Sequence, residues 1–141
     1  MGNVVLQGAT EAQFYLPEDD WYSVIDHKYG QLIPAGNQTF PAPWESLIPV
    51  LVRGGAIIPC QKPNITTEHT RKNAFKLVIA PGTRIGRFHD TAEGFLYWDD
   101  GDSIVESFET HPYHRWHFHF NQSEDAAELI IRMEHKAVSG L

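Results

Sequence analysis

The chain has 141 residues, of which 42% are hydrophobic, 12% aromatic and 21% charged, the composition of a globular protein and not of a disordered or membrane-embedded one. A complete catalytic (β/α)8 barrel, at about 250 residues, is excluded by length. Eleven basic residues face 18 acidic ones, net -7 with histidines neutral, a field that repels phosphate backbones and anionic membranes, so no nucleic-acid partner is expected. The eight histidines would cancel most of that charge below about pH 6.5.

One cysteine, Cys60, rules out an intramolecular disulfide framework and a multi-cysteine zinc site. The opening Met1 to Gly8 has neither a basic region nor a long apolar stretch, so no signal peptide is expected there. The strongest apolar run, Leu47 to Val52, is held to strand length by Pro49 and Arg53, and no transmembrane segment is expected.

Eleven glycines and nine prolines divide the chain into short segments rich in Val, Ile, Phe, Tyr and Trp, the spacing of an all-β sandwich. In chain order the strands expected are Ala12 to Leu16, Trp21 to Ser23, Leu51 to Val52 and Ala56 to Ile58. Phe75 to Ala80, Phe95 to Trp98, Arg115 to Phe120 and Ala127 to Met133 follow. Only Trp44 to Leu51 suggests a helical turn, limited by Pro49. Trp116, His117, Phe118, His119 and Phe120 alternate with period two, which puts the aromatics in the core and the histidines outside. Residues 59–73, with two prolines and several Asn, Thr and Lys, read as a crossing between modules. This puts the domain boundary near Thr70 and gives modules 1–70 and 71–141, each marginal without outside support.

Glycoside hydrolysis needs two carboxylates facing each other across about 5 to 10 Å. Asp19 with Asp20, and Asp99 with Asp100, are adjacent in sequence and point to opposite faces of a strand, so neither pair converges on a substrate. Asp99 to Ser103 fits a hairpin turn, with aspartates capping backbone N–H groups and Gly101 supplying positive φ. Trp98 and Leu96 stand where an EF-hand needs oxygen ligands, so that calcium loop fails. His117 and His119 share a strand face about 7 Å apart and are weak zinc candidates with no evident third ligand. Trp21, Tyr22, Trp44, Tyr97, Trp98, Tyr113 and Trp116 raise the alternative of a free-standing carbohydrate-binding module that stacks sugars, against the simpler reading that they fill the core. Sequons at Asn37, Asn64 and Asn121 are N-glycosylation candidates and point to the secretory route.

An ordered series of motifs goes further. It runs Tyr15-Leu16-Pro17, Trp21-Tyr22, Gly36-Asn37-Gln38-Thr39-Phe40, Ala42-Pro43 and Ile48-Pro49. It continues with Val52-Arg53-Gly54-Gly55, Ile57-Ile58-Pro59, Thr66-Thr67, Arg71-Lys72-Asn73 and Gly94-Phe95-Leu96-Tyr97-Trp98-Asp99-Asp100-Gly101. The series resembles the C-terminal region of glycoside hydrolase family 31, the α-glucosidases that include intestinal maltase and sucrase and the lysosomal acid enzyme. The resemblance implies a proximal C-terminal β-sandwich packed on the catalytic barrel, followed by a distal sandwich that is incomplete here and has an exposed sheet edge. It also implies that Arg53, Gly54, Gly55, Trp98, Asp99, Asp100 and Gly101 are structural, with Arg53 paired to an acidic group or carbonyl. The family's catalytic aspartates lie in barrel motifs of the Trp-X-Asp-Met-Asn-Glu kind. None occurs in this chain, so no catalytic residue and no cofactor is implied.

The expectation is therefore an all-β, non-catalytic part of an α-glucosidase. Its partners would be the parent's barrel and, in the alternative, an α-glucan or oligosaccharide; the parent would be lysosomal, secreted or at the cell surface. The sequence departs from the family pattern at Trp44-Glu45, at Thr70 and in a longer loop from Pro81 to Asp90.

Overall fold

A computed structural model describes residues 8–24, 28–83 and 90–138. The opening residues 1–7 and most of the Pro81 to Asp90 loop therefore lie outside the described residues. Ten strands and one short helix are present among them, in two compact units, Met1–Gly54 and Gly55–Leu141. The all-β expectation holds, and the sheets do not close into a barrel.

In the first unit β1 (Glu11–Leu16) pairs antiparallel along its full length with β4 (Gly36–Pro41). The second sheet has β2 (Trp21–Ser23) between β3 (Leu32–Ile33) and β5 (Leu51–Arg53). Alternation in β1 buries Ala12 and Leu16, as period two requires. Leu16 and Phe40 from one sheet meet Ile33 from the other, flanked by Phe14, Trp21 and Leu51, which makes this unit a two-layer sandwich. Phe14 stacks on Phe40 with centroids 5.1 Å apart.

The second unit carries one five-stranded sheet among the described residues, in the order β10-β9-β8-β6-β7. Its strands are β6 (Ala56–Gln61), β7 (Phe75–Ala80), β8 (Asp90–Trp98), β9 (His114–Gln122) and β10 (Ala127–His135). Neighbours are antiparallel except β6 and β8, which run parallel and pair at Ala56 and Glu93. One face carries the core of Ile57, Ala92 and Phe118, with Leu77, Ile79, Leu96, Trp116 and Phe120 packed around it. The aromatic–histidine alternation reads through, since Phe118 is buried and His119 is exposed.

The compact units divide at Gly54–Gly55, because β6 pairs with β7 along its full length and so belongs to the second sheet. Two expectations are corrected. Trp44 and Glu45 form a turn, residues 47–50 are irregular and Leu51 opens β5, so no helix forms there; Pro43 precedes the segment and Pro49 lies inside it, and neither supplies an N–H to a helical ladder. The helix is α1 (Thr67–Arg71), capped by Thr66, whose hydroxyl accepts the His69 N–H at 3.2 Å, inside the segment read as a crossing.

Candidate functional site

Arg53 ends β5 beside Asp19, and its Nε and Nη2 both donate to Asp19 Oδ2. The other Asp19 oxygen accepts the Asp20 N–H at 2.9 Å. The Arg53 guanidinium, joined by that N–H, holds the Asp19 carboxyl below its ordinary value. Arg53 itself is 69% exposed, so the expected acidic partner exists but at the surface. The two glycines that follow divide their bonds between the units. Gly54 N–H donates to Asp20 O at 2.8 Å, whereas Gly55, at φ +88°, donates to Ala80 O at 2.7 Å and accepts from Glu93 N at 3.0 Å.

The second cluster joins two motifs far apart in sequence. Arg71, in the last turn of α1, lays its guanidinium 3.9 Å from the centroid of Trp98 and donates Nη2 to the Asp99 carbonyl. Phe75 meets the Trp98 ring edge-on, 5.0 Å between centroids. The turn beyond Trp98 is built by its aspartates. Asp99 Oδ1 accepts the Gly101 N–H at 2.8 Å, and Oδ2 lies 3.4 Å from Nε2 of the buried His111. Asp100 Oδ1 accepts the N–H groups of Asp102 and Ser103 at 3.1 and 3.0 Å, and Oδ2 accepts the Ser103 hydroxyl. Those bonds, with the Ser103 hydroxyl foremost, bring the Asp100 pKa down to about 2. Gly101 has φ +76°, which disfavours any side chain, and a Cβ there would lie 2.6 Å from Arg71 Nη1, so Arg71 would have to shift. The Asp99–Asp100 pair therefore serves a turn.

On the opposite face of the same sheet, Glu93, His117 and Glu134 are linked across β8, β9 and β10. His117 Nε2 lies 2.7 Å from Glu93 Oε1, and Nδ1 lies 3.3 Å from Glu134 Oε1. Arg115 Nε reaches Glu134 Oε2 at 3.2 Å, and Phe95 stacks on the His117 ring at 4.4 Å. Both ring nitrogens of His117 thus face protein carboxylates, and no group of three or more potential metal ligands gathers among the described residues. His119 is exposed beside Ile130 and Arg132. Sequence reasoning missed this network because its partners come from three strands whose register no local pattern reveals.

Tyr97 and Tyr113 stack on each other at 4.9 Å, Trp98 faces Arg71, and Trp21 donates its indole N–H to Pro17 O. Of the seven aromatics Trp44 is the most exposed, at 88%, and Tyr97 is exposed to a lesser degree. Asn37, Asn64 and Asn121 are all exposed.

Residues 1–58 match the model of the glycosyl hydrolase family 31 C-terminal domain. The chain carries the C-terminal domain of glycosyl hydrolase family 31. Similarity runs beyond the matched residues: a probable maltase-glucoamylase 2 from Homo sapiens is 38% identical over 111 residues, 73% of this chain and 4% of that protein. An alpha-glucosidase from Aspergillus niger is 40% identical over 94 residues, 65% of this chain and 8% of that protein. The chain thus spans under a tenth of the length of either. A crystal structure of a glucosidase II alpha subunit shares the fold at TM-score 0.61 and 24% identity, covering 86% of this chain and 13% of that one. The family 31 alpha-glucosidase from Bacteroides thetaiotaomicron covers 96% of this chain and 20% of its own at TM-score 0.58 and 20% identity. In this family 31 domain, Arg53-Gly54-Gly55 and Trp98 to Gly101 are both points where the chain is pinned, by hydrogen bonds and, at Trp98, by the Arg71 guanidinium.

Proposed function

We propose that this chain is the non-catalytic C-terminal portion of an α-glucosidase-like enzyme, where it supports a catalytic barrel, and that the parent hydrolyses terminal α-linked glucose from oligosaccharides. The observation that carries this reading is the state of the carboxylates in its most specific motif. Asp99 and Asp100 direct their oxygens to backbone N–H groups, Ser103 and His111, which leaves no acid and nucleophile pair poised for glycoside hydrolysis. The first unit presents Trp44, Leu47 and Ile48 on one loop, each more than 70% exposed, an apolar surface of the kind that packs against another domain. Modules 1–70 and 71–141 remain our reading of how the parent's proximal and distal regions divide by sequence motif, although the compact units divide earlier. A secretory-pathway address for the parent follows from the exposed sequons at Asn37, Asn64 and Asn121.

The mass of the native protein tests the proposal. An antibody raised against this chain should detect, in extracts of the source, a polypeptide far above 16.0 kDa. A species at 16.0 kDa alone would remove the attached barrel from the account. The carbohydrate-binding alternative rests on Trp44. It requires saturable binding of maltose-type sugars that Trp44→Ala abolishes, and a flat titration at millimolar sugar removes it.

A further inference from the structure

The loop from Lys62 to Thr66 joins β6 to α1, and bonds among its near neighbours in the chain set its shape. Lys62 O accepts the Asn73 side-chain N–H at 2.7 Å, and the Gln61 amide donates to Asn73 O at 2.6 Å. Asn64 N–H donates to the Thr70 hydroxyl at 2.9 Å, which in turn donates to Thr66 O at 2.9 Å. Asn64 is exposed, and only half of its side-chain amide is used. Oδ1 accepts the Ile65 N–H at 2.8 Å, whereas Nδ2 bonds to no described residue. Asn64-Ile65-Thr66 is an acceptor sequence for N-glycosylation. The other two sequons stand on strands: Asn37 lies opposite Tyr15 of β1, and Asn121 lies between Thr91 of β8 and Glu128 of β10. Directly opposed side chains have Cβ atoms about 4.5 to 5.5 Å apart, so a sugar on either of these starts among cross-strand neighbours, which Asn64 lacks.

We propose that Asn64 carries an N-linked oligosaccharide, an inference that rests on the secretory-pathway address of the parent. The donor is a polyprenyl pyrophosphate-linked oligosaccharide, brought to the chain by a transferring enzyme. A bond forms between Asn64 Nδ2 and the anomeric carbon of the first sugar as the bond from that carbon to the pyrophosphate oxygen breaks. The pyrophosphate leaves with the electron pair, and Nδ2 gives up one proton to the enzyme's base. The step consumes the side-chain atom that the loop does not use. Oδ1 stays on the Ile65 N–H and the backbone N–H stays on Thr70. Thr66, which completes the acceptor sequence, takes part in no new covalent bond and keeps its cap on the His69 N–H at 3.2 Å. The glycan is therefore added without breaking any bond that shapes the loop or starts α1.

Treating the native protein from its source with peptide N-glycosidase in heavy-oxygen water, followed by peptide mass spectrometry, tests this, because each glycosylated asparagine becomes an aspartate marked with heavy oxygen. Asn64 should carry the mark, whatever the state of Asn37 and Asn121. A bare Asn64 beside a marked Asn37 or Asn121 overturns the assignment and leaves the secretory address standing. All three bare overturns both. Variants of the full-length protein, expressed in the source, separate the acceptor sequence from the helix cap. Thr66→Asp keeps a capping oxygen but destroys the acceptor sequence, and should be lighter than wild type by one glycan. Thr66→Ser keeps both functions and should retain the mark at Asn64. A Thr66→Asp protein still marked at Asn64, or a Thr66→Ser protein bare there, overturns the proposal.

Discussion

Gly94 of β8 lies so close to Ile57 of β6 that a Cβ on Gly94 would overlap the Ile57 carbonyl oxygen and sit 2.8 Å from the Ile57 Cβ. This is the place where the one parallel contact of the sheet is made, beside the Ala56 to Glu93 pairing. Gly94→Ala should therefore part β6 from β8 and lower the stability of the second unit by about 2 to 3 kcal/mol. Urea unfolding of the variant provides the check, and a loss under about 0.5 kcal/mol, the scatter of neutral surface changes, would mean that the strands do not approach this closely.

The Arg71–Trp98 contact makes a second prediction. Arg71→Lys keeps the charge but loses the planar fork and its stacking, and should cost about 1 kcal/mol. Trp98→Leu removes the other partner. The double variant should lose less than the sum of the two single losses, because both remove one shared interaction. Gly101→Ala should cost about 2 kcal/mol, since it adds a left-handed penalty to a collision with Arg71.

Asp100 gives a pH dependence whose sign follows from its partners. Its carboxyl is held at about 2 against an ordinary 3.8, so the folded state favours the ionised form. The stabilisation is complete above the ordinary value and is lost as pH falls through about 2. Carbon-detected NMR titration should show this depressed value in the wild type, and Ser103→Ala should raise it toward 3.8. An unchanged value in the variant would show that the Ser103 hydroxyl is not the principal cause.

Asp19 follows the same sign, with Arg53 as the first cause of its depression. The pair stabilises above the ordinary carboxyl range and loses its contribution as pH falls through the lowered Asp19 value. Because Arg53 is 69% exposed, a double-mutant cycle with Asp19→Asn and Arg53→Gln should return a coupling of only about 0.5 kcal/mol, and less in high salt.

The legible parts of this fold were those with local signatures. β2 and β7 follow apolar runs bounded by turn residues and stand where the sequence puts them. β4 was not legible, because Gly36-Asn37-Gln38-Thr39-Phe40-Pro41 is polar and is made a strand by its full pairing with β1, a non-local cause. β3 has two residues, too few for any period. The compact units divide before the segment read as a crossing, because Pro59, within that segment, sits inside β6. Pairing of β6 to β8 is confined to Ala56, so the missing N–H of Pro59 breaks no bond on that side. Of the site, the Asp99 to Ser103 turn was legible from composition. The Arg71–Trp98 contact and the Glu93–His117–Glu134 network were not, since each depends on three-dimensional neighbours.

The central claim is that this family 31 C-terminal domain supports catalysis without performing it. Hydrolysis of a chromogenic aryl α-glucoside by the purified chain tests that most directly. The account predicts a rate equal to the buffer blank. Turnover that persists through repurification and falls in Asp99→Asn or Asp100→Asn would contradict it.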